Sequence, residues 1–232
     1  MGKIYYGCDE LPRGWEQYFK LCNAVELDLD PLDAPPKTST LNRWRVDSPR
    51  GFGFVLHADR GFREGLADLA DRGATELNAR VRKGWETTVE RAHALAAKAI
   101  LIKTPPEFFP GSVSRGLLEL VAEEFVGPAK QAVIWDSQGP WQLDQTRDYA
   151  RDLGMIYAYD PFIAHREEVP FTHGDTCWVL TERAGLRRKF DQFDMETLTA
   201  WADHYDRAFV LLRGRFKWDH ARELKMALEY AD

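Results

Sequence analysis

Eight short apolar runs, separated by longer segments of helical periodicity, constrain this chain more than any other feature of its sequence. The runs are Lys3–Gly7, Ala24–Asp28, Phe52–His57, Ala99–Lys103, Gln131–Asp136, Met155–Tyr159, Thr176–Leu180 and Ala208–Leu212. Each is too short for a stable helix and lacks the polar alternation of a half-exposed strand, so each reads as a strand buried on both faces. Helical spacing marks Gly14–Cys22, Ser39–Asp47, Trp85–Lys98, Ser112–Phe125, Leu143–Leu153, Met195–Tyr205 and Asp219–Tyr230. Ser112 is the expected N-cap of its helix, and Gly154 the expected stop of the fifth. Ala58–Arg82, charged and punctuated by glycines, reads as a long connection with room for one short helix. No helical pattern follows the sixth run, where Asp160–Asp175 reads as an irregular crossover.

Strands alternating with helices imply a parallel sheet with crossovers, and eight such units make a (β/α)8 barrel of the TIM type. The first strand is not followed by a GxGxxG turn, so the open dinucleotide-binding sheet has no support. There is no internal repeat. The Pro-rich stretch Pro31–Pro36 comes too early to separate two viable cores, so residues 1–232 are expected to form a single domain.

Composition bounds the partners. With 44% hydrophobic residues and a formal charge of -6 over 232 residues, the chain can build a core but lacks the basic surplus typical of duplex-DNA binders. Cys8, Cys22 and Cys177 form no CxxC pair, which argues against a zinc ribbon and fits a reducing compartment. The N-terminus has no apolar signal core, Gly2 lacks the downstream Ser or Thr of a myristoylation site, and no apolar run approaches the span of a membrane. A cytoplasmic location without membrane contact is the expectation.

Several segments, in order, resemble the YecE-like family (domain of unknown function 72). They are the first strand ending in Gly7 with Trp15 behind it, Val25-Glu26, Leu41 and Trp44 before Pro49, and Gly51-Phe52-Gly53-Phe54. Lys103-Thr104-Pro105-Pro106-Glu107-Phe108, Leu198 with Trp201-Ala202, Ala208-Phe209-Val210, and His220-Ala221 with Leu224 complete the set. The resemblance implies a TIM-like barrel over nearly the whole chain. The polar pocket departs from the family pattern. Glu26-Leu27-Asp28-Leu29-Asp30-Pro31 stands where the family has Glu-x-Asn and then Thr-Phe-Tyr, and His57 stands where a Lys is expected. Ile134-Trp135-Asp136 replaces Glu-Phe-Arg-His, Thr181-Glu182-Arg183-Ala184 replaces Arg-x-His-Gly, and Arg213-Gly214 replaces paired Asn. The chain reads as a divergent member.

In such barrels the site lies at the C-terminal ends of the strands. That rule selects Glu26, Asp28, His57, Lys103, Asp136, Asp160, Glu182 and Arg213. Glu26 lies inside an apolar strand, where a carboxylate needs a partner. Lys103 or Arg213 can supply it, and a core ion pair competes evenly with a catalytic role. His57 is a candidate base, metal ligand or satisfied core histidine. His57, Glu26, Asp136 and Asp160 are ligand types for a divalent metal, but no HxH or HExxH spacing supports one, so no metal is assigned and the cofactor stays unknown. His165 and His173 are expected to be exposed, and Arg187-Arg188-Lys189 to form a solvated turn or a small anion patch. There is neither a GxSxG elbow nor a P-loop. Cys8 is a nucleophile only beside a base. Tyr6, Trp135, Trp141, Tyr159 and Trp178 are ring-stacking candidates whose commoner role is core.

Two readings stand level. One is an enzyme binding a small anionic substrate through Lys103, Asp136, Asp160, Glu182 and Arg213, with Glu26 or His57 as the acid-base group. The other is a degenerate barrel serving as a ligand- or protein-binding module. Metal-dependent phosphodiester hydrolysis on nucleic acid stands behind both.

Overall fold

The computed structural model describes residues 3–10, 12, 14–30, 32, 34–163, 174–182 and 189–231. The strands are β1 (Lys3–Cys8), β2 (Ala24–Leu27), β3 (Gly53–His57), β4 (Ala99–Thr104), β5 (Ala132–Ser137), β6 (Ile156–Tyr159), β7 (Asp175–Leu180) and β8 (Arg207–Leu212). The helices are α1 (Trp15–Leu21), α2 (Thr38–Asp47), α3 (Arg60–Asp71), α4 (Ala79–Leu95), α5 (Ser112–Val121), α6 (Leu143–Asp152), α7 (Gln192–Ala202) and α8 (Lys217–Ala231), with a π-helical turn at Ala122–Val126. The strands follow the order β1-β8-β7-β6-β5-β4-β3-β2 in one eight-stranded sheet. The pairings described are parallel, as in β4–β5 and β7–β8. This is the nearly closed (β/α)8 barrel that the alternation predicts.

Contacts divide the chain into two compact units. The first comprises Met1–Glu26, Ser48–Gly53 and Ala158–Asp232, the second Leu27–Asp47 and Phe54–Tyr157.

In the first unit β1 and β2, the two ends of the strand order, are joined by side chains. Asn23 accepts from the Tyr6 amide and donates to the Ile4 carbonyl, both at 2.8 Å. The Tyr18 hydroxyl accepts from the Cys8 amide at 2.9 Å and donates to the Ala24 carbonyl at 2.8 Å. These bonds satisfy buried backbone groups that would otherwise cost free energy. Gly7 allows the approach, because a Cβ there would lie 1.9 Å from the Ala24 carbonyl oxygen. Farther along, the carboxylates of Asp191 and Asp194 form a reciprocal capping box at the start of α7. His220, fully buried on α8, accepts from the Phe190 amide through Nε2 at 3.1 Å. Burial lowers the His220 pKa to about 4, so the ring is neutral at pH 7.

In the second unit Ala58–Arg82, expected to be a long connection with room for one short helix, holds the whole of α3 and the first turn of α4, whose remainder falls on the helix expected from Trp85. Two glycines here are packing positions. A Cβ on Gly84 would lie 2.2 Å from the Phe62 amide nitrogen, and one on Gly65 2.9 Å from Val81. Phe62, Trp85 and Phe125 cluster over this contact. Asp59 caps α3 through the Gly61 amide, and Asn78 caps α4 through the Val81 amide. Helix α5 corrects another expectation: its N-cap is Gly111, without a side-chain bond, and Ser112 is its first residue. Gly154 ends α6 with φ +72° as expected.

Candidate functional site

In the second unit the strand ends open onto a cleft of about 730 Å³. Its wall includes Asp28, Asp30, Arg60, Arg63, Lys103 and Gln138. Asp28 follows β2 directly and Asp30 lies two residues on, so both carboxylates emerge where the apolar strand stops. The Asp30 amide donates to Asp28 Oδ1 at 3.1 Å, which fixes a local turn. Arg63 projects from the first turn of α3 and bridges the pair. Its Nη2 donates to both Asp28 oxygens, at 3.2 and 3.3 Å, and to Asp30 Oδ2. His57, the last residue of β3, holds Nδ1 3.5 Å from Asp28 Oδ2. Histidine and carboxylate thus stand within ion-pair distance.

Lys103 and Asp136 are register partners on β4 and β5. Asp136 is buried and accepts from Gln138 Nε2 at 2.8 Å. Burial, and then the Asp136 charge, push the Tyr157 hydroxyl up to about 12, so it stays protonated at neutral pH. Arg60 is bound to Glu64 and Arg63 to the two aspartates. Among the described residues the Lys103 ammonium has no carboxylate, carbonyl or hydroxyl partner, although it lines the same cleft.

The remaining expected site residues belong to the first unit. Arg213 follows β8 and forks onto Glu26: Nη2 donates to Oε1 at 2.7 Å and Nε to Oε2 at 3.0 Å. The two side chains are only 2% and 12% exposed for Glu26 and Arg213. The partner weighed for Glu26 in the sequence is therefore Arg213. Asp160 follows β6 and accepts from the Phe162 amide at 2.8 Å. Burial raises its carboxyl to about 6, against the pull of the Phe162 and Ile163 amides. Glu182 pairs with Arg215 at 3.3 Å, at the surface.

In sequence no family model matches this chain, nor does any curated protein. Solved structures do match, in fold. A protein of the domain-of-unknown-function-72 family from Thermotoga maritima superposes with a TM-score of 0.71 at 14% identity, covering 98% of this chain and 99% of its own. A xylose isomerase domain containing protein from Salmonella typhimurium gives 0.56 at 12% identity, with 97% and 96% covered. Endonuclease IV from Thermus thermophilus gives 0.54 at 15%, with 97% and 99% covered. The chain is a TIM-type barrel. The end-to-end likeness to the first of these agrees with the ordered motifs that resemble that family.

Other candidates resolve into core. Trp135 and Trp178 are buried, and Trp135 Nε1 donates to Thr104 Oγ1 at 3.1 Å. Trp141 donates to the Phe108 carbonyl at 2.7 Å, while Tyr6 and Tyr159 are also buried. The neighbouring Cys22 thiol, and then burial, raise the Cys8 thiol, the opposite of what a nucleophile needs. Among the described residues no three His, Cys, Asp or Glu side chains converge as metal ligands would. His165, His173, Arg183, Ala184, Arg187 and Arg188 lie outside the described residues. Among those described, no helix is long and apolar enough to cross a membrane.

Sequence reasoning missed Asp30, Arg60, Arg63 and Gln138. Asp30 was legible as the second acid of the Asp28-Leu29-Asp30 alternation. Arg60 and Arg63 were hidden because the glycines around them concealed α3.

Proposed function

We propose that the strand-end cleft of the second unit binds a small anionic ligand through Lys103, with His57 and Asp28 as the couple that moves a proton at the bound molecule. The observation that carries this reading is the Lys103 ammonium, which has no carboxylate, carbonyl or hydroxyl partner among the described residues, in a cleft where both arginines are already held by carboxylates. A lysine without an internal partner loses no ion pair when it meets an external anion, and its three donors suit phosphate or carboxylate oxygens. His57 is the acid-base candidate because imidazole is the side chain suited to proton exchange near neutral pH, and Asp28 lies within ion-pair distance of its Nδ1. Gln138 lines the same cleft and donates to Asp136.

Thermal-shift titration with inorganic phosphate, a simple dicarboxylate and a sugar phosphate tests the reading. A stabilising shift in the wild-type chain that is lost in Lys103→Met supports it. Equal shifts in both proteins, or none in either, overturn it. With a ligand in hand, His57→Gln should keep the shift and remove turnover. A variant that keeps turnover strips His57 of its role and leaves a binding module.

A further inference from the structure

The charged groups of the strand-end cleft pair off until one of each sign is left. Arg63 bridges Asp28 and Asp30, while Glu64 is held by Arg60 and by Arg80 from the start of α4. Three carboxylates thus face three guanidinium groups. What remains of the charged wall is Lys103 and Glu107. Among the described residues neither side chain has a hydrogen-bond or ion-pair partner, and the two do not pair with each other.

The chain between them sets their spacing. Lys103 is the last residue but one of β4, and Glu107 stands just past Pro105-Pro106 in the loop to α5. Proline rings fix φ, so this connection is stiff. The Phe108 amide closes a turn onto the Pro105 carbonyl at 3.0 Å. Phe108 is buried, and its carbonyl accepts from Trp141 Nε1 at 2.7 Å. A Cβ on Gly139 would lie 2.7 Å from the same carbonyl oxygen, so the loop after β5 packs directly against this one. The two uncommitted charges are therefore carried on an anchored loop. Pro105, Pro106 and Ala67 supply apolar wall in the same cleft.

We infer that the ligand of this cleft is a zwitterion with its acid and its amine at opposite ends of an aliphatic body, the carboxylate meeting Lys103 and the ammonium meeting Glu107. The inference rests on the anion-binding reading of Lys103 above and adds the other end of the ligand. A space of about 730 Å³ is larger than an inorganic anion fills, so the ligand has a body beyond its acid group. Methylene groups suit the prolines and the alanine. A molecule with one charge of each sign answers both free groups. A dicarboxylate sets its second charge against Glu107, and a diamine sets one against Lys103.

Isothermal titration calorimetry on the full chain tests this with ω-amino acids of three to six carbons and with the dicarboxylates and diamines of the same lengths. The best ω-amino acid is expected to bind about tenfold tighter than its matched dicarboxylate, because attraction at Glu107 replaces repulsion there, and the diamine is expected to bind weakest. Glu107→Gln should bring the amino acid and the dicarboxylate to near parity, weakening the first and tightening the second. Lys103→Met should abolish both. Glu107 is exposed, so its variant is expected to fold, which circular dichroism checks; if it does not, the wild-type ranking decides. A dicarboxylate that equals or exceeds the amino acid, still through Lys103, overturns the zwitterion and leaves the anion site standing. A ranking unchanged in Glu107→Gln, or no binding by any ω-amino acid, overturns it as well. Binding of either acid that survives Lys103→Met breaks the anion-binding reading itself.

Discussion

The two units carry the same chemical motif, arginine against carboxylate at a strand end, in opposite states. In the first unit Glu26 and Arg213 are forked onto each other and almost entirely desolvated. In the second, one guanidinium is shared between Asp28 and Asp30, the histidine stands beside them, and a cleft lies alongside. A forked pair removed from water spends much of its hydrogen-bonding capacity on itself, which favours a structural role over ligand capture. A shared, partly hydrated cluster keeps lone pairs and a proton acceptor available. A charged residue at the end of a barrel strand becomes a site only where its partners leave it unfinished.

The largest test of this contrast is Glu26→Leu. It leaves the Arg213 charge buried without its fork and is expected to destabilise the fold by about 3–5 kcal/mol in chemical denaturation. Glu26→Leu with Arg213→Met should recover most of that loss. If the single variant costs less than about 1 kcal/mol, the pair is not structural and Glu26 returns as a functional group. Asp30→Asn, in the second unit, should cost about 1 kcal/mol or less in the same melt, because Arg63 keeps Asp28 and solvent reaches the cluster. A loss as large as that of Glu26→Leu would erase the distinction between the two regions.

The smallest effects sharpen the picture of the first unit through pH. Asp160, raised to about 6 from 3.8, binds a proton more tightly folded than unfolded, so it stabilises fully below pH 3.8 and loses that contribution as pH rises through 6. His220, lowered to about 4 from 6.5, does the reverse: its contribution is complete above 6.5 and disappears as pH falls through 4. The two slopes oppose each other between pH 4 and 6.5. In melts across that window Asp160→Asn should steepen the rise of stability with pH, and His220→Leu should turn it into a fall. If both variants follow the wild-type profile, neither group titrates in the folded chain as described.

Much of the fold was legible because apolar periodicity is local. The strand runs and their alternation with helices needed nothing beyond nearest neighbours along the chain. The error at α3 came from reading the glycines of Ala58–Arg82 as breakers, when Gly65 is small to let α4 touch the helix. Glu26 was conspicuous as the lone acid in an apolar strand, and Asp28 as the residue where a strand turns polar. The roles of Tyr18, Asn23 and His220 gave no such signal. A tyrosine on a helical stripe looks the same whether it fills space or satisfies two backbone groups.

By itself, then, the sequence determined the order of elements, the burial of the strands and the set of ionisable groups available at their ends. The tertiary structure alone decided which of those groups neutralise one another. Glu26 and Arg213 are 187 residues apart in the chain, and Asp28 and Arg63 are 35 apart. Hydrophobic patterning acts through neighbours a few positions away, whereas an ion pair is set by separation in space and exclusion of water. Both exist only once the strands have been placed.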